Sequence, residues 1–96
     1  MKAEEKELFR KAILRVLDAN RTRFGLSVGA IALHLSQFGF NAGNCDGPGA
    51  FADAIQDELD YLKDKQLAEE ILKIVSRENR AWKITPSGIA FVDERG

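Results

Sequence analysis

A chain of 96 residues has the length of one domain, and its formal net charge of −1 excludes a positive field over the whole molecule. Any attraction to nucleic acid must therefore come from a local basic patch. The single cysteine, Cys45, excludes an intrachain disulfide and favours a reducing compartment. No apolar run approaches the ~20 residues that span a bilayer, and the charged N-terminus lacks a signal peptide's apolar stretch. We therefore expect a cytoplasmic protein with no membrane partner.

Two helices are predicted in the N-terminal half. Apolar residues spaced by three and four indicate an amphipathic first helix over about residues 3–19. A short strand is predicted over Phe24 to Leu26, and Ser27 suits the N-cap of a second helix, about residues 28–38. Gly39 then suits the left-handed conformation that ends a helix.

A third helix is predicted over about residues 50–65, after a long loop of turn-forming residues between Asn41 and Gly49. Four apolar residues repeat along one face of this helix. They are Phe51, Ile55, Leu59 and Leu62.

The C-terminal third predicts a β-hairpin over about residues 68–85 and a last helix over about residues 86–93. Residues 68–76 fit a helical period nearly as well as a strand, but the segment is short and rich in β-branched residues. It is followed by a polar break and then by a clean alternation that includes Trp82 and Ile84. Thr85 suits the cap of the last helix, with Pro86 at its first position.

Two stretches in this order resemble the winged helix-turn-helix superfamily of bacterial regulators. Residues 59–67 resemble the end of a recognition helix that continues into the first wing strand, and Ile84-Thr85-Pro86-Ser87-Gly88 resembles the junction after the second. The resemblance covers Leu8 to Val92 and implies a mainly α fold with a small β-hairpin wing (α+β). It also implies a DNA partner, although one fold can host many functions. The length separately predicts one domain over residues 1–96, and we expect no enzymatic activity because the residues offer no catalytic constellation.

A narrower resemblance links the chain to short proteins of Mu-like prophages, on residues 12–17 and the Phe38-Gly39-Phe40 break. The connection between the second and third predicted helices departs from the superfamily. A helix-turn-helix turn usually has 3–4 residues, whereas roughly ten residues separate Phe38 from Ala50 here.

The charge distribution opposes the usual use of the third helix. Its exposed face is predicted to show Asp53, Gln56, Asp57 and Asp60, of which only Gln56 suits contact with base edges. Residues 50–72 carry seven acids and two bases, or −5, whereas residues 73–85 carry four bases and one acid, or +3. Residues 1–24 also carry +3, from seven bases and four acids.

Two hypotheses for function remain open. In the first, the chain is a DNA-binding accessory or regulatory protein that uses a basic wing. The candidate nucleic-acid-binding residues are Arg77, Arg80, Lys83, Lys73, Arg21, Arg23 and Gln56. In the second, the chain is a protein-interaction module whose acidic third helix docks a basic partner. Its candidate residues are Asp53, Asp57 and Asp60.

Other features favour structural roles. His34 has no second histidine, Cys45 is the only thiol, and zinc takes three or four ligands, so we expect no metal, no cofactor and no catalytic residues. The glycines between residues 43 and 49 precede no Lys-Ser or Lys-Thr pair and predict a connector. Trp82 is interpreted as a core residue, although it could instead stack on a base. Ile89 and Phe91 predict either a homodimer patch or a cap on the core.

Overall fold

The computed structural model describes residues 3–21, 25–41, 43, 47–71 and 81–95. Its helices are α1 (Ala3–Ala19), α2 (Val28–Leu35), α3 (Pro48–Asp64) and α4 (Pro86–Arg95), and a 3₁₀ turn (Ser36–Phe38) follows α2. The strands are β1 (Leu26–Ser27), β2 (Ala68–Ile71) and β3 (Ala81–Ile84). The structure is therefore mainly helical with a small sheet, as the sequence predicts. Among the described residues, no helix is long and apolar enough to cross a membrane.

The predicted boundaries hold within a few residues. The bounds of α1 agree with the prediction, whereas α3 begins at Pro48 because proline suits the first helical position. The Ser27 hydroxyl caps α2 by accepting a hydrogen bond from the Ala30 N–H at 3.2 Å, and Gly39 is left-handed with φ 84°. The first strand includes Ser27, and Phe24 lies outside the described residues.

The three strands form an antiparallel sheet in the order β1-β3-β2. Leu26 of β1 pairs with Trp82 of β3, and Ala68 of β2 pairs with Ile84. Because side chains alternate along a strand, β3 turns Trp82 and Ile84 towards the helices and Lys83 towards the other face. The hairpin prediction is thus confirmed at both ends, and the connection over residues 72–80 lies outside the described residues.

One hydrophobic core joins the first three helices to the sheet. The Phe9 ring lies 5.2 Å from the Phe40 ring and 6.0 Å from the Phe51 ring, centroid to centroid. Phe40 follows Gly39, so this contact attaches the start of the long loop to α1. Among the residues that the structure describes, eleven large side chains are less than 2% exposed: Trp82, Phe9, Ile13, Leu14, Leu17, Ile31, Leu35, Ile55, Leu59, Leu62 and Val16.

The contacts at the junction between β3 and α4 explain why Thr85 to Gly88 follow the pattern Thr-Pro-x-Gly. The Thr85 hydroxyl caps α4 by accepting from the Gly88 N–H at 3.0 Å, and it donates to the Gln66 carbonyl oxygen at 2.6 Å. A Cβ atom at Gly88 would overlap the Leu67 carbonyl oxygen, so only glycine allows this close approach. The motif therefore attaches the start of α4 to the segment that follows α3.

Candidate nucleic-acid interface

The outer face of α3 is acidic. Asp53, Asp57, Asp60 and Asp64 recur at i, i+4, i+7 and i+11, so they form one stripe opposite the buried apolar face. All four are exposed. We call these four residues the acidic stripe. Phosphate groups brought to this face would meet four carboxylates, which repel them.

The prediction that Gln56 is exposed is wrong. Its side chain is only 6% exposed, and its Nε2 donates to Asp60 Oδ1 at 3.4 Å. Gln56 lies three residues before the buried Leu59 and four after the half-buried Ala52, so it belongs to the border of the apolar face. The one side chain of α3 predicted to contact bases is therefore covered.

Lys83 lies half-buried on β3, on the face opposite Trp82. Its partner across the β2–β3 pair is Glu69, which is exposed. Opposite charges at directly paired strand positions attract each other. Part of the positive charge of Lys83 is therefore offset by its neighbour.

Arg21 lies two residues beyond the end of α1 and forms an ion pair with Asp18 of that helix. Its Nη2 lies 2.6 Å from Asp18 Oδ1, and its Nε donates to the same oxygen at 2.9 Å. A phosphate contact through Arg21 would have to compete with this ion pair.

The remaining basic candidates fall in other parts of the chain. Arg23, Lys73, Arg77 and Arg80 lie outside the described residues. The last three belong to residues 72–80, which join β2 to β3, and we call this connection the wing segment. It contains one acid, Glu78, so its formal charge is +2.

The described residues also bear on the roles predicted for single side chains elsewhere in the fold. Trp82 is 0% exposed, so the stacking hypothesis is wrong and the core interpretation is confirmed. Ile89 and Phe91 are half-buried and pack against the core, which favours the cap over the homodimer patch.

His34 is half-buried on α2, and within the described ranges no three histidine, cysteine or acidic residues gather where they would hold a metal ion. Cys45 lies outside those ranges.

Sequence reasoning left two acidic residues out of the site. Asp64 completes the acidic stripe, and Glu69 faces Lys83. The spacing of four and three residues between successive aspartates indicates that Asp64 lies on the same helix face as the other three. For Glu69, the pairing register of the hairpin would have indicated that this residue lies opposite Lys83. That register could not be set without knowing where the two strands end.

Comparisons with known proteins place the fold. No family model and no curated protein matches the chain. Among solved structures, the chain is similar to a mutant of S. aureus MepR, with a TM-score of 0.62 and 21% sequence identity. The match covers 88% of this chain and 52% of that one, so the chain spans about half the length of this neighbour.

MepR is a winged-helix regulator, and the fold described above is a winged helix, as predicted. At this level of identity the likeness extends to the fold alone. The resemblance to Mu-like prophage proteins stays a prediction, since neither family models nor curated proteins match.

Proposed function

We propose that the chain is a non-enzymatic, cytoplasmic DNA-binding regulatory protein that contacts nucleic acid mainly through its wing segment. The winged-helix fold supports DNA binding in general, because this fold is common among DNA-binding regulators. The distribution of charge over that fold supports the particular surface. The observation that carries the proposal is the contrast between the acidic stripe of α3 and the basic wing segment.

The acidic stripe disfavours insertion of α3 into a major groove. A carboxylate about 6 Å from a phosphate costs about 0.7 kcal/mol in water before screening by salt. Four aspartates therefore oppose the close approach that base contact requires, and the buried Gln56 offers nothing in return. In this proposal α3 supports the wing and lies away from the phosphates.

The wing segment offers the complementary chemistry. Lys73, Arg77 and Arg80 supply three cations within the connection between two paired strands. Arginine and lysine bind phosphate oxygens without regard to sequence, so this contact supplies affinity and position rather than recognition of bases. Lys83 and Arg21 are secondary candidates, because Glu69 and Asp18 offset their charges.

The test is fluorescence anisotropy with mixed genomic duplexes. Three phosphate contacts predict that affinity falls about 40-fold between about 50 and 200 mM salt. The double variant Arg77→Ala with Arg80→Ala should weaken binding to every duplex and lower the salt slope by about 2. Lys63→Ala is the control for the loss of a positive charge, since Lys63 is exposed on α3, which lies away from the phosphates in this proposal. An absence of binding at low salt, or an unchanged slope in the double variant, would refute the proposal.

The acidic stripe favours a second candidate, a protein-interaction module that docks a basic partner. Four exposed carboxylates on one helix face would steer such a partner and orient it. Lysine in place of Asp53, Asp57 and Asp60 separates the two candidates. The second candidate expects the loss of a complex with a basic protein, whereas the DNA proposal expects duplex binding to be kept and still to depend on Arg77 and Arg80.

A further inference from the structure

A groove with apolar walls and a charged rim lies between α1 and the residues that follow α2. It has a volume of about 320 Å³. Leu8 and Phe38 are 59% and 41% exposed, which is high for side chains of their size. Exposed apolar side chains gathered at one groove are typical of a contact surface. The groove is lined by Leu8, Lys11, Ala12, Arg15, Phe38 and Phe40.

The charges along this side of α1 change sign halfway. Glu4 and Glu7 precede Leu8, whereas Lys11 and Arg15 follow it. At 100° per residue these four side chains and Leu8 project within one third of the helix circumference. We call this set the α1 strip. It presents negative charge at its start, an apolar residue near its middle and positive charge at its end.

We propose that a second copy of this chain docks on the groove, with the two α1 strips antiparallel across a two-fold axis. An axis between residues 9 and 10 places Glu4 opposite the partner's Arg15 and Leu8 opposite the partner's Lys11. Glu7 of each copy then lies near Lys11 and Arg15 of the other. The same surface serves both copies, as an isologous interface requires.

The pattern of charge selects a second copy over other occupants. An acidic peptide would match Lys11 and Arg15 but would meet repulsion from Glu4 and Glu7. A basic peptide would match Glu4 and Glu7 but would be repelled by Lys11 and Arg15. A parallel copy would place each charged residue beside a residue of the same sign. Of these occupants, the antiparallel copy is the one that matches both halves of the strip.

The apolar part of the interface comes from the groove itself. In the antiparallel arrangement the partner's Leu8 lies opposite Lys11 along the helix axis, beside the rings of Phe38 and Phe40. Residues 4 to 15 extend over only about 17 Å of helix at ~1.5 Å per residue. This contact is smaller than the roughly 800 Å² per partner of a standard interface, so the dimer is weak and depends on concentration.

The first experiment is sedimentation equilibrium of the full chain without DNA, from about 5 µM to about 1 mM protein at low salt. The wild-type mass should rise towards that of a dimer. Glu4→Lys and Arg15→Glu should each raise the dissociation constant about tenfold, because each change places like charges at two symmetric contacts. The double variant should restore it to within about threefold, since the charges are exchanged rather than lost.

Two controls separate docking from folding. Lys6→Glu changes the net charge by the same amount as Arg15→Glu, but Lys6 lies on the other side of α1, so its dimer should match the wild type. Leu8→Gln should weaken the dimer while far-UV circular dichroism stays unchanged, because Leu8 is exposed. A wild-type chain that stays monomeric at about 1 mM overturns the proposal. A dimer that the double charge exchange fails to restore also overturns it.

Discussion

The two long helices, α1 and α3, are built alike on the inside and differently on the outside. Each has 17 residues. Each buries a continuous apolar face in the same core, with Leu17 on α1 and Leu59 on α3 at most 1% exposed. Their burial depends on the same helical period. The inner faces therefore specify the fold and do not distinguish the two helices.

The outer faces carry the differences that concern function. On α3 the acidic stripe has one sign of charge, so this face repels both phosphate and a copy of itself. On α1 the sign reverses along the α1 strip, which makes the surface complementary to an antiparallel copy. Two helices of equal length and similar burial thus support opposite kinds of contact.

Shortening one buried side chain on each helix tests whether the two inner faces contribute equally to stability. Leu17→Ala and Leu59→Ala should each lower the free energy of unfolding by about 2–5 kcal/mol, because each leaves a cavity in a close-packed core. Urea denaturation measures both values. Leu33→Ala is the control, since Leu33 is 77% exposed and should change the free energy by less than about 0.5 kcal/mol. A cost below about 1 kcal/mol for either core variant would show that one helix packs loosely.

The ends of the two helices differ as well. The Asn20 N–H and Nδ2 close the end of α1 locally, on the Val16 carbonyl oxygen. The end of α3 is also closed locally, by the Leu67 N–H on the Leu62 carbonyl oxygen. The segment after it is attached in addition to the distant Thr85, whose hydroxyl donates to the Gln66 carbonyl oxygen and whose N–H donates to that of Leu67.

Gly88→Ala should therefore lower the free energy of unfolding by about 1–3 kcal/mol, since the new Cβ displaces the Leu67 backbone. Thermal unfolding by circular dichroism measures the change. Gly49→Ala in α3 is the matched control, because a Cβ there meets nothing within 4 Å, and the variant should be neutral or slightly stabilising. Equal effects of the two variants would contradict the close approach at Gly88.

The smallest effect is expected where the two helices meet. The Arg10 guanidinium carbon lies 3.8 Å from the Tyr61 ring centroid, and Arg10 Nε donates to Glu58 Oε2 at 2.7 Å. A double-mutant cycle of Arg10→Ala and Tyr61→Leu should give a coupling of about 0.5–1 kcal/mol, from the attraction of the cation to the ring. The cycle with Lys65→Ala should give less, since its Nζ lies 5.7 Å from the ring centroid. A larger coupling for Lys65 would refute this assignment.

Much of the fold was predictable because its signals are local. The periods of α1 and α3, the cap at Ser27 and the start of α4 after Thr85 each depend on residues within a few positions of one another. The winged helix followed from their order and from the Thr-Pro-x-Gly junction. The bounds of β2 were less predictable, because the pattern in residues 68–76 fits two periods.

The candidate site was predictable in composition and less so in geometry. The sequence by itself determined that α3 carries the acids and that the bases cluster in the wing segment and near α1, because charge follows directly from residue type. Only the tertiary structure decided that Gln56 is covered, that Glu69 faces Lys83, and that Phe38 and Phe40 form a groove with α1. Exposure and pairing depend on neighbours that are distant in the chain, and no local pattern specifies which of them meet.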